Sequence, residues 1–256
     1  MVSDSSRLEH GMKRRSFIKA GLILAGTGTA ASIFTPAGAA ERKNVLNGGK
    51  IWRAKETPLP TPADPTQRLF FNAREYALVT AIFDRLIPAD ELSVSASQAG
   101  CVVFIDNQLA GDYGKAKWKY NQGPFENGTE SQGNQSPYSP AEIYRKGLQE
   151  LDTHCTRLFN KSFTELSHDM QDAYLEKMES GEFTYPTFNS EVLFGQFLAN
   201  VQEGFLADPI YGGNRNMVGW RMIGFPGARY DYRDYAPLKG QKLNIEPISI
   251  IQLLKA

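Results

Sequence analysis

The chain has 256 residues and carries 28 basic against 28 acidic side chains, a formal net charge of zero. That balance excludes a nucleic-acid binder, which needs an excess of Lys and Arg on one face, and 41% hydrophobic residues exclude a disordered chain. Two cysteines and three histidines are too few for a disulfide framework, a four-thiolate zinc site or an iron–sulfur cluster held by this chain alone.

The N-terminal segment is unlike the rest. Arg7, Lys13, Arg14, Arg15 and Lys19 face only Asp4 and Glu9, and no charge follows from Ala20 to Ala39. Five of the 28 basic and two of the 28 acidic groups therefore belong to the leader, and the remainder, with 23 and 26, is mildly acidic. A basic stretch, an apolar run over residues 20–34, then Pro36 and the small residues Ala37, Gly38 and Ala39 are the three parts of an export signal, with cleavage expected after Ala39. Lys13-Arg14-Arg15-Ser16-Phe17-Ile18-Lys19 resembles the twin-arginine pattern, with Phe17 two places after the arginine pair and Lys19 closing it. The resemblance implies a bacterial periplasmic destination and transport of an already folded chain or partner. The apolar run is short of the roughly 20 residues of a membrane-spanning helix, and an uncleaved signal acting as a weak anchor stays open. Gly26-Thr27-Gly28-Thr29-Ala30-Ala31 matches the dinucleotide fingerprint, but that motif needs a strand before it and a phosphate-binding helix after it, so it is set aside.

Residues 40–69 contain Pro58, Pro60, Pro62 and Pro65 and read as an extended linker or wrapping arm. Residues 70–256 read as a single helical domain. Asn72 with Glu75 three places on marks a helix start, and Tyr76, Val79, Phe83 and Leu86 recur at spacings of three and four until Pro88. A second helix is expected over residues 97–110, with Val102, Phe104, Ile105 and Leu109 inward and Gly111 at its end. Residues 112–138 lack helical period, and a loop of that length is functional or mobile. Its Tyr113, Trp118, Tyr120, Phe125 and Tyr138 need covering by the core or by another protein.

Ser139-Pro140-Ala141-Glu142 opens a helix running to about residue 159, with Tyr144, Leu148, Leu151, Cys155 and Leu158 on its apolar face. Ser167 caps the next, to about residue 180. Asn189 or Ser190 begins the last long one, where Leu193, Phe194, Phe197, Val201 and Phe205 are inward. Short extended pieces are expected at 183–188 and 245–251, and a helical turn at 217–223. The pattern predicts an all-α fold: about five core helices, long irregular loops and an extended C-terminal tail.

Chemistry is sparse. The sequence holds no phosphate-binding loop, zinc-protease motif, haem-attachment motif or nucleophile elbow. His154 and Cys155 point about 100° apart on one helix and read as a surface His and a buried Cys. His168 and Asp169 sit in a first turn, where Asp169 favours the dipole, and His10 belongs to the leader. Asp106 and Asp112 straddle a helix end and read as solvated acids rather than an acid–base pair. Asp208 before Pro209 reads as a turn cap. Cys101 and Cys155 are compatible with one periplasmic disulfide or with two buried thiols. No catalytic, cofactor or metal residue is expected in this chain, so the signal reads as serving a cofactor-bearing partner that the chain escorts.

Several blocks resemble the small-subunit family of gluconate 2-dehydrogenase, subunit 3. They are Leu86-Ile87-Pro88-Ala89-Asp90, residues 99–111 followed by Tyr113-Gly114, Gln122-Gly123-Pro124-Phe125, residues 139–145, Gly204-Phe205, residues 208–214, Gly219-Trp220 and Gly224-Phe225-Pro226-Gly227. Cys101 stands where a small apolar residue is commoner in that pattern. The resemblance implies a noncatalytic gamma subunit of a membrane-bound, three-part flavin dehydrogenase, on the periplasmic face of the inner membrane. The large subunit would carry FAD, with an iron–sulfur cluster in several members, and a multihaem cytochrome c subunit with haem c would pass electrons to quinone. The small chain would stabilise the large one and supply its signal through Arg14, Arg15, Phe17 and Lys19 to the twin-arginine translocase. Gluconate is the expected substrate of the complex. Trp118, Tyr120 and Phe125 of the loop and Tyr211, Gly212, Gly213, Asn214, Trp220 and Phe225 of the tail are the expected subunit interface, the alternative being a tail packed on its own helices. A self-sufficient periplasmic oxidoreductase and a small-ligand-binding protein are the competing readings.

Overall fold

The structure, a computed structural model, describes residues 61–119, 123–126, 128–132, 135–229 and 231–253. Arg14, Arg15, Phe17, Lys19, the arm up to residue 60 and Tyr120 lie outside these. Seven α-helices and no strand occur among the described residues: α1 Ala73–Leu86, α2 Cys101–Ala110, α3 Pro140–Phe159, α4 His168–Glu179, α5 Ser190–Leu206, α6 Val218–Ile223 and α7 Ile250–Leu253. The fold is all-α, and its five longest helices are those that the apolar spacing predicts.

Local chemistry starts the helices where expected. Asn72 Oδ1 accepts the Glu75 N–H at 2.9 Å while Glu75 Oε2 accepts the Asn72 N–H at 2.9 Å, so two otherwise unpaired donors are satisfied reciprocally. Ser139 and Glu142 repeat the device at α3, with Pro140 in the first turn. Helix α2 begins four residues later than its apolar pattern suggests. Residues 96–100 form turns instead, in which Asp84 takes the Ser97 N–H and hydroxyl. Gly100 then enters α2 with φ +87°, and a Cβ there would lie 2.3 Å from Gly212 O. Only glycine fits both the dihedral and the contact.

Helix α5 is the hub, touching α1, α2, α3, α4 and α6. Its Leu193, Phe194, Phe197, Val201 and Phe205 join α1 (Leu78, Val79, Ile82, Phe83), α2 (Cys101, Val102, Phe104, Ile105, Leu109) and α3 (Ile143, Tyr144, Leu148, Leu151, Cys155) in one core. Burying each such side chain is worth roughly 1.5–3 kcal/mol. Leu158, expected on the buried face of α3, is 49% exposed; the packed stripe ends at Cys155, one turn before Asn160 closes the helix in the left-handed conformation.

The extended piece at 183–188 is a tight reversal, with a Thr184–Asn189 bridge and a Tyr185 N–H bond to Phe188 O at 3.1 Å. The piece at 245–251 is extended only as far as the Ile248–Gly227 bridge. From Ile250 it becomes α7, because Asp208 Oδ2 accepts the Ile250 N–H at 2.8 Å and supplies a helix-terminus partner from outside the segment.

Candidate interaction surface

The segment after α5 is held by polar groups rather than by regular structure. Asp208 Oδ1 accepts the Ile210 N–H at 3.0 Å, capping the 3₁₀ turn Pro209–Tyr211, and its other oxygen reaches α7. Asp208 is thus the turn cap expected, and also a clamp between segments 42 positions apart. Asn214 donates to Ala207 O at 2.9 Å and accepts the Gly219 N–H at 2.8 Å. The Arg215 N–H reaches Ala99 O at 2.9 Å, and Ile210 O accepts the Ala63 N–H at 2.9 Å. Gly213 lies so close to α5 that a Cβ would sit 2.1 Å from Gly204 O.

These contacts divide the nine interface candidates. Gly212, Gly213 and Asn214 are buried in the clip itself. Trp220 is 5% exposed; its Nε1–H donates to Leu206 O at 2.7 Å, and its ring meets Phe225 edge-on at 5.2 Å between centroids. Those four residues are engaged by this chain's own fold and offer almost no surface to another molecule. Trp118, Phe125, Tyr211 and Phe225 do: they are 67%, 46%, 50% and 44% exposed. The exposed tail aromatics are accompanied by Leu206, Met222 and Ile223, also exposed. Leu92, Val94, Val218 and Met222 line a shallow depression where the 89–94 turn meets α6. The tail therefore packs on its own helices through its buried residues and exposes Tyr211, Met222, Ile223 and Phe225 among charged side chains such as Arg221.

The remaining loop aromatics turn inward. The Tyr113 hydroxyl accepts from Gln196 Nε2 at 2.7 Å and Asn200 Nδ2 at 2.8 Å, and Asn200 Oδ1 accepts the Tyr144 hydroxyl at 3.1 Å. Tyr138 packs edge-on against Phe188. Nothing in the local sequence marks Gln196 and Asn200 as core partners. Only their position on α5, two turns of one polar stripe facing a loop tyrosine, does so.

Asp106 differs most from expectation. It is 1% exposed and accepts three consecutive backbone N–H groups, from Leu69 at 2.6 Å, Phe70 at 3.1 Å and Phe71 at 2.7 Å. It is not a solvated acid but the buried anchor of the strand-like entry to α1, its charge balanced by peptide dipoles. Asp112 is exposed and pairs with Lys117 at 2.5 Å, so the two share no site. His154 is half-buried rather than on the surface. Its Nδ1 lies 2.8 Å from the Tyr174 hydroxyl, which lies 2.9 Å from that of Tyr185. Burial, with Arg157 adding to it, pushes the imidazole below the usual histidine range. Burial also raises both phenols, and all three groups are neutral at pH 7. Cys101 and Cys155 are free and buried, each thiol pushed up to about 12 by desolvation, which makes them packing residues rather than nucleophiles.

Among the described residues no three His, Cys, Asp or Glu side chains gather as a metal site, and no helix is long and apolar enough to cross a membrane. No curated protein and no solved structure matches the chain. Residues 73–227 match the family described as gluconate 2-dehydrogenase subunit 3; that span runs from the first residue of α1 to the glycine that bridges to Ile248 and takes in the Asp208–Asn214 clip. Covering more than half of the 256 residues, it establishes that the chain belongs to the gluconate 2-dehydrogenase subunit 3 family.

Proposed function

We propose that the chain is the noncatalytic small (gamma) subunit of a heterotrimeric, membrane-bound, FAD-dependent gluconate 2-dehydrogenase. It stabilises the FAD-binding large subunit and carries the twin-arginine signal for both. Family membership over residues 73–227 carries this reading. The exposed aromatic side of the tail supports it, since Tyr and Phe beside aliphatic side chains are the residue types of interface cores. The flavin, the iron–sulfur cluster and the haem c belong to the large subunit and the multihaem cytochrome c subunit, and the assembly sits on the periplasmic face of the inner membrane.

Export tests the escort role. Changing Arg14 and Arg15 to Lys keeps the charge and removes the paired guanidinium geometry. Both this chain and the flavoprotein are then expected to stay in the cytoplasm, with loss of periplasmic gluconate oxidation. A flavoprotein that reaches the periplasm normally while this chain is retained overturns the reading.

A further inference from the structure

Away from the tail, a groove of about 640 Å³ runs along the outer face of α3 under the reversal at 184–187. Its α3 side presents Lys146, Glu150, His154 and Arg157, spaced three to four positions apart and therefore on one stripe. Its opposite wall is the reversal, with Tyr185 and Thr187. Glu150 is engaged by that wall: its carboxylate accepts the Thr187 N–H at 3.3 Å and, more closely, the Thr187 hydroxyl. Lys146 rests over the Tyr138 ring at 5.4 Å. Arg157 has neither a hydrogen-bond nor an ion-pair partner among the described residues.

Beside Arg157, one turn back, stands His154. Its ring is held in a fixed orientation, 4.5 Å from Phe183 and 5.6 Å from Tyr185 between centroids, with Nδ1 directed to the Tyr174 hydroxyl. Nε2 bonds no described protein group and is not among the sealed polar atoms, and His154 lines the groove. A pre-oriented imidazole, which carries an N–H on Nε2 once protonated, and an uncommitted guanidinium on adjacent turns form a donor set for oxygen anions.

We propose that this groove binds a small molecule bearing an oxyanion, held by Arg157 and by Nε2 of His154, with the ligand's body lying between α3 and the reversal at 184–187. A carboxylate and a phosphate share that chemistry, and the two are separable by experiment. The bound anion stabilises the imidazolium against the desolvation that otherwise opposes it. Of the other groups around the ring, Cys155, Tyr174 and Tyr185 are neutral and Lys146 and Arg157 are cations. Glu150 is a carboxylate whose hydrogen bonds from Thr187 do not remove its charge, so that it favours the imidazolium in the free groove and opposes the incoming anion. Binding therefore tightens as pH falls through the His154 transition.

The test follows the imidazole C2 protons of the full chain by NMR while sodium citrate or sodium phosphate is added, against sodium chloride at matched ionic strength. His154→Gln identifies the resonance among the three histidines. The expected result is a saturable shift of the His154 signal with a raised pKa in the bound state, the tighter-binding probe naming the anion class. Arg157→Gln weakens binding about tenfold or more, as loss of a charge-assisted bond does, and Arg157→Lys weakens it less. A His154 shift that does not saturate, one reproduced by chloride, or one unchanged in Arg157→Gln overturns the proposal.

Discussion

At the scale of single residues, the groups that matter are buried polar side chains whose partners lie far along the chain. Asp106 is the clearest: three peptide N–H groups point at one carboxylate that water does not reach. Removing the carboxylate leaves those donors unpaired, at about 1–3 kcal/mol for each that water cannot recover. Asp106→Ala is therefore expected to lower unfolding stability by about 3 kcal/mol or more, read as a fall in urea midpoint at constant slope. A loss below about 1 kcal/mol would mean that water replaces the oxygens and that the entry to α1 is not anchored there.

At the scale of elements, helix-to-helix ties and close backbone approaches set the arrangement around α5. Arg85 on α1 forms a two-pronged pair with Asp172 on α4, both contacts at 2.6 Å, and this hydrogen bonding holds the Asp172 carboxyl below its ordinary 3.8. Because the folded pKa is depressed, the tie contributes fully above 3.8 and is lost as pH falls through the lower folded value. Asp172 is 42% exposed, so solvent screening limits the contribution to about 0.5–1 kcal/mol. Asp172→Asn should show that deficit at pH 6, with the difference from the native chain shrinking towards zero in unfolding titrations below pH 3.8. The second tie is steric. A Cβ at Gly213 would stand 2.1 Å from the Gly204 carbonyl oxygen, backbone of the last turn of α5. Gly213→Ala is expected to cost about 2 kcal/mol or more, with the tail beyond residue 208 becoming protease-sensitive before α1–α5 unfold.

At the scale of the whole molecule, the tail buries some of its aromatic side chains and, among the described residues, leaves others exposed. Trp220 and Tyr211 lie on opposite sides of that division. Trp220→Ala removes a buried indole and its bond to Leu206 O, so thermal unfolding of the isolated chain and dissociation of the complex should both worsen, by about 3–5 kcal/mol for the fold. Tyr211→Ala removes an exposed ring. If the tail meets the large subunit, that change leaves unfolding within about 0.5 kcal/mol of native and weakens the complex by about 2 kcal/mol. Equal effects of Tyr211→Ala on unfolding and on assembly would place the partner elsewhere.

The five long helices were legible because the signals that make them are local. Asn72 with Glu75, Ser139 with Glu142, and the three-and-four apolar spacing of α1, α3 and α5 all act within a turn or two of the chain, and the family blocks were legible as contiguous residues. What remained hidden depends on groups distant in sequence. The start of α2 is set by Gly100 against Gly212, more than a hundred positions apart, and the ending of the extended tail at α7 by Asp208. Asp106 reads as a surface acid until Leu69–Phe71 are folded over it, and Trp220 reads as an interface aromatic until α5 ends beneath it. Periodicity reports which face of an element is apolar. Whether a polar or aromatic side chain outside that face meets water, a partner or the chain's own backbone is decided only when tertiary contacts bring the far segment within hydrogen-bond reach.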